Sequence, residues 1–151
     1  MLLTDLLSVD RVKIPLEATT KDELLRELVG LVTNGQGSQV QEDVLRALQD
    51  REAVLSTGIG YGVAIPHGKS PNVKELCLAA GRARVPVEFD ALDGQPVSLF
   101  FLLVGPESAA GPHIKALSRI SRVVRRDDVR SRLIAAPDAQ AFLLALEAAE
   151  A

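Results

Sequence analysis

Residues Val97 to Val104 read Val-Ser-Leu-Phe-Phe-Leu-Leu-Val, with apolar side chains at odd and even positions alike. A strand points alternate residues to opposite faces, so a run of this kind is buried on both sides and needs helices on each. It is also far shorter than the ~20 residues of a membrane-spanning helix. The rest of the chain has to supply layers around this one strand.

Helical periodicity supplies them. Thr20-Lys21-Asp22-Glu23 reads as a capping box, followed at helical spacing by Leu24, Leu25, Leu28, Leu31 and Val32, with Gly35 and Gly37 as terminators. Ser38 and Gln41 form a second capping-box pattern, and Val40, Val44, Leu45 and Leu48 put one face of a helix running to about Glu52 on the core. From about Pro112, residues Ile114, Leu117, Ile120, Val123 and Val124 recur in steps of three and four. A shorter helix is expected over Asp127 to Ile134, and a last one begins near Pro137-Asp138.

Strands are expected at Val12-Lys13-Ile14, stopped by Pro15; at Val63-Ala64-Ile65, stopped by Pro66; and at Leu76 to Arg84. Asp93-Gly94 marks a turn. Helices and strands alternate irregularly. The expectation is therefore a single α/β domain over residues 1–151, with a mixed sheet flanked by helices on both faces and no regular doubly wound order.

Composition excludes several classes of function. A balance of 17 Lys+Arg against 20 Asp+Glu, net charge −3, disfavours a broad phosphate-backbone binder, so no nucleic acid partner is expected. One cysteine, Cys77, excludes a disulfide framework and a thiolate zinc cage. Met1 to Val9 lacks a basic leading region and Asp5 interrupts its apolar run, which together point to a cytoplasmic chain without membrane insertion. With two histidines in the chain, any histidine chemistry falls to His67 and His113.

Gly58-Ile-Gly-Tyr-Gly62 resembles a dinucleotide loop, but it follows a helix and opens a strand, the reverse of what that loop requires. Gly62 to Ser70 resembles a P-loop with one residue too many, and Pro66 lacks an N–H for the phosphate cradle. There is no Gly-x-Ser-x-Gly elbow, and no ligand pair at metal-binding spacing. No metal or cofactor is expected. His67, set between Pro66 and Gly68, is presented at a rigid edge, either as a reactive imidazole or as a hydrogen-bonded structural histidine.

The stretch Arg51-Glu52-Ala-Val-Leu-Ser56-Thr57-Gly-Ile59-Gly60-Tyr-Gly-Val63-Ala-Ile-Pro66-His67-Gly68 resembles the signature of the mannitol/fructose-type enzyme IIA family of the phosphoenolpyruvate phosphotransferase system. Phe89-Asp-Ala-Leu-Asp-Gly-Gln-Pro-Val97 and His113-Ile-Lys-Ala-Leu-Ser118 are similar to the second half of these domains, so the resemblance runs from about Leu6 to Leu146. Without an attached IIB or IIC part, the chain looks most like the nitrogen-regulatory branch.

The resemblance implies the family's type-2 IIA fold and a phosphorylated histidine at His67, attacking through Nε2 with Nδ1–H held by a backbone carbonyl. It implies that Arg51 compensates the phosphoryl charge and that His113 hydrogen-bonds the group without becoming phosphorylated. Read locally, Arg51 is also a cation at a helix C-terminus. Ser56 and Thr57 are expected either to donate hydroxyls to the group or to cap their own turn. An HPr-like donor is expected to dock on an apolar rim around Gly60, Gly62 and Gly68. The output is a regulatory target or a IIB component. Ile114, where the family has Leu, and Gly111-Pro112 depart from the pattern around His113.

Overall fold

The computed structural model describes residues 1–151. Its elements are α1 (Leu3–Leu6), β1 (Val12–Leu16), α2 (Lys21–Val32), α3 (Ser38–Val54), β2 (Gly58–Gly60), β3 (Val63–Ala64), β4 (His67–Lys69), β5 (Cys77–Val87), β6 (Val97–Gly105), α4 (Ala110–Val124), α5 (Asp127–Ala135) and α6 (Ala139–Glu150).

The strands form one mixed sheet in the order β1-β5-β6-β3-β2, with β4 also paired to β6. Strand β6 is its centre. It runs antiparallel to β5 and parallel to both β3 and β4. Phe100, Leu102 and Val104 pack with Leu24 and Leu28 of α2 and Val44 and Leu48 of α3 in one core. Leu99, Phe101 and Leu103 pack with Ala116 and Ile120 of α4, Leu133 of α5 and Phe142 of α6 in a second. The apolar run thus has no solvent face, as its composition requires.

Helix ends follow the sequence signals in part. Thr20 Oγ1 accepts from the Glu23 N–H at 3.3 Å, and Asp138 Oδ1 accepts from the Ala141 N–H at 2.8 Å. The second capping-box expectation is corrected. Ser38 is the first residue of α3, and the N-cap is Gly37 at φ +90°, a conformation open mainly to glycine.

Pro15 does not stop β1, which continues to Leu16. As the sheet's edge strand, β1 tolerates a residue without an N–H. Gly58–Gly60 is a strand hairpinned to β3 through Tyr61 (φ +59°) and Gly62 (φ +72°). Strand β3 ends at Ala64, one residue short of the expected Ile65, and the chain rejoins β6 just past Pro66 as β4, so His67 lies on a strand.

Phe100→Ala and Phe101→Ala each empty one core, because both rings are fully buried on opposite faces of β6. Each variant is expected to lose roughly 3–5 kcal/mol, read as a lower urea midpoint. A loss below about 1 kcal/mol for either would contradict the two-core packing.

Candidate functional site

Strand β4 has β6 on one side and no strand on the other, so the ends of two helices close over its free edge. The last turn of α3 brings Arg51, and the first turns of α4 bring His113. With His67, Gly68, Lys69, Ala47, Ile114 and Leu117 they line an open groove of about 370 Å³. Gly68 is what lets α3 lie so close. A Cβ there would stand 3.3 Å from Leu48 Cδ2 and 3.6 Å from the Ala47 carbonyl.

His67 Nδ1 lies 2.8 Å from the Ile65 carbonyl oxygen. A carbonyl only accepts, so Nδ1 carries the proton and the Nε2 lone pair is left free. The acceptor is itself held. The Ile65 N–H donates to the Thr57 carbonyl at 3.0 Å, and the Leu103 N–H of β6 donates to the Pro66 carbonyl at 3.0 Å. Thr57 is in turn fixed by Glu52, whose carboxylate accepts from the Thr57 N–H at 3.1 and 3.2 Å and from its hydroxyl. Glu52, with its side chain only 5% exposed, also pairs with Lys21 Nζ at 2.9 Å.

The two imidazoles face each other edge-on, with ring centroids 5.8 Å apart. Burial, together with the Arg51 guanidinium, pulls the His67 pKa below the ordinary 6.5, against a smaller upward pull from the Ile65 hydrogen bond. Burial, His67 and Lys69 pull His113 down likewise. His113 is 4% exposed, and its Nδ1 is buried without a hydrogen-bond partner. Buried polar atoms are nearly always paired, so an orphan of this kind is common where a ligand completes the site. The groove thus sets two imidazoles of lowered basicity beside two basic side chains, Arg51 and Lys69.

Of the residues singled out in the sequence, the structure brings His67, His113, Arg51 and Gly68 together. Arg51 lines the groove, and its Nη1 donates to the Leu55 carbonyl at 2.8 Å at the C-terminus of α3. Ser56 and Thr57 are not at the groove. The Ser56 hydroxyl donates to the Phe89 carbonyl and accepts from the Gly58 N–H, each at 3.0 Å. The Thr57 hydroxyl is committed to Glu52. These two residues brace the turn and offer no hydroxyl to the groove. Gly60 (φ +98°) lies in the hairpin facing Asp93, away from the groove.

Sequence reading missed Lys69, Leu117 and the bracing by Glu52 and Lys21. Lys69 follows Gly68 directly, so a cation beside the imidazole was there to be noticed, and its Nζ lies 3.6 Å from Glu107. No group of three or more His, Cys, Asp or Glu side chains converges as a metal site would require. No helix is long and apolar enough to cross a membrane.

Residues 5–149 match the family described as phosphoenolpyruvate-dependent sugar phosphotransferase system, EIIA 2. The chain is 40% identical to a nitrogen regulatory protein of Bradyrhizobium diazoefficiens, with all of this chain and 99% of that protein covered. It is 34% identical to the fructose-specific EIIABC component of Bacillus subtilis, over 95% of this chain but 22% of that protein. Among solved structures, the nitrogen regulatory protein IIA-Ntr of Neisseria meningitidis matches with a TM-score of 0.88 at 36% identity, over 95% of this chain and 98% of that one.

Two outcomes follow from this geometry. Because both histidine pKa values are lowered in the folded state, the unfolded chain binds more protons once pH falls below about 6.5. Folding stability should be flat above that pH and decline below it. In an NMR titration both rings should show midpoints under 6.5, and a midpoint above 6.5 for His67 would contradict the buried, cation-flanked site. Glu52→Ala should cost about 3 kcal/mol in urea unfolding, since Lys21 and the Thr57 N–H lose their acceptor. A loss within the error of the measurement would show that the brace carries no weight.

Proposed function

Because the chain belongs to the EIIA type-2 family of the phosphoenolpyruvate-dependent sugar phosphotransferase system, we propose that it carries a phosphoryl group on His67. An HPr-like phosphocarrier supplies the group, and the phosphorylation state governs binding to a regulatory target.

The observation that carries this reading is the bond between His67 Nδ1 and the Ile65 carbonyl. It leaves Nε2 unprotonated, and the lowered pKa keeps the ring neutral and nucleophilic at neutral pH. The Nε2 lone pair forms a new N–P bond as the donor's N–P bond breaks, and the electron pair leaves with the donor's imidazole. The proton on His67 Nδ1 stays there throughout, donated to the Ile65 carbonyl.

Such transfer is mostly positioning and charge compensation. The guanidinium of Arg51 offers paired donors to phosphoryl oxygens. Lys69 adds a second positive charge at the groove, and His113 donates a ring N–H to the group while remaining unphosphorylated. The open groove suits a brief encounter between two proteins, with Ile114 and Leu117 as its apolar lip.

A regulatory output is favoured by similarity along almost the whole length of a protein named for nitrogen regulation. The second reading is a sugar-uptake component that passes the group to a IIB partner, and it draws on the likeness to a fructose-specific EIIABC component. In both readings the protein works as a phosphohistidine intermediate in the cytoplasm.

Incubation with enzyme I, phosphoenolpyruvate and an HPr-like carrier should label the wild type and leave His67→Ala unlabelled. Arg51→Ala and His113→Ala should still be labelled, but roughly a hundredfold more slowly. Normal labelling of His67→Ala would overturn the carrier reading. Fast onward transfer to a purified fructose-type IIB would favour the sugar-uptake reading over the regulatory one.

A further inference from the structure

The charges of this chain are segregated. Residues 115–132 hold seven Lys and Arg against two Asp, while the remaining 133 residues carry ten basic and eighteen acidic side chains, a net −8. Three of the seven cations are occupied, as Arg119 pairs with Glu150 at 2.6 Å, Arg126 with Asp128 at 3.1 Å, and Arg130 with Asp127. Lys115 and Arg122 of α4 have no ionic partner and are exposed. Seven residues apart, they stand on one line of the helix about 10 Å from each other. They line a second groove, of about 430 Å³, together with Ser118, Arg119 and Ile114. Ile114 is 68% exposed and also lines the His67 groove, so the two surfaces are continuous.

We propose that this face of α4 is a docking surface for a protein partner presenting a short acidic stretch beside an apolar side chain. Guanidinium and ammonium groups in line match carboxylates spaced along a helix or strand, and Ile114 supplies the apolar contact. The length of the stripe argues against an extended polyanion. A nucleic acid or an anionic membrane would overrun ~10 Å of positive surface and meet the net −8 of the remainder. Resting on the carrier reading, the same geometry makes docking switchable. A phosphoryl group on His67 places roughly two negative charges on the far side of Ile114, within reach of an acidic partner at the usual screening length.

The test uses the full chain and a 14-residue helical peptide with three glutamates along one face and a leucine at one end, followed by fluorescence anisotropy. The peptide should bind the wild type, about tenfold more weakly at 300 mM than at 50 mM salt. Arg122→Glu and Lys115→Glu should each weaken binding at least fivefold, whereas Lys74→Glu, with the same change in net charge at a distant exposed site, should not. Peptide binding that is absent, or equal in all four proteins, overturns the proposal. So does tighter, Arg122-dependent binding of a 20-base-pair DNA duplex or of phosphatidylserine vesicles. Phosphorylation should weaken the peptide roughly threefold or more, and an unchanged affinity removes the switch. If the wild type binds the peptide but is never labelled at His67, the carrier reading fails and the docking surface stands.

Discussion

The hydrogen bond from His67 Nδ1 to the Ile65 carbonyl leaves Nε2 as the ring nitrogen with a free lone pair, and much of the fold serves to keep that carbonyl in place. Ile65 lies between two short strands, β3 and β4, that both pair with β6. Pro66 interrupts the ladder between them because it has no N–H to give. At that interruption the Ile65 carbonyl turns from strand pairing to the imidazole. Its own N–H is held by Thr57, and Thr57 by the buried Glu52. The orientation of one ring therefore depends on a carboxylate fifteen positions earlier in the chain, near the end of α3.

Strand β6 sets the distances around this arrangement. Its two buried faces place α2 and α3 on one side of the sheet and α4, α5 and α6 on the other. Only at the free edge of β4 do the end of α3 and the start of α4 come together, bringing Arg51 and His113 to the same groove. Both helix ends contribute through position as well as side chain. Arg51 sits in a last turn, where cations are favoured. His113 sits in a first turn, where the free N–H groups and the dipole favour an anion.

The architecture was legible in the sequence where a strong periodicity or a strong breaker stood behind it. The two-faced run at Val97–Val104, the helices after Thr20 and Asp138, and the halt at Pro66 were of this kind. What escaped were features that depend on tertiary pairing. Gly58–Gly60 and His67–Lys69 carry no β-propensity of their own and become strands only because β3 and β6 offer ladders to them. Pro15 passes through a strand because β1 is at the edge, which no local signal reveals. At the site, motif resemblance found His67, His113 and Arg51. For Ser56 and Thr57 two roles stay open in the sequence, because hydroxyls beside a site and hydroxyls facing into it look alike in one dimension. Lys69 has no spacing rule to mark it, and Glu52 stands in the resembling stretch without anything local that reveals its bracing role.

The most direct measurement is the bonding of the transferred group itself, by phosphorus–nitrogen coupling in the NMR spectrum of the 15N-labelled, phosphorylated protein. Coupling to Nε2 of His67, with Nδ1 still protonated, is the expected result. Coupling to Nδ1, or a phosphoryl group residing on His113 or any other side chain, would contradict the account at its centre.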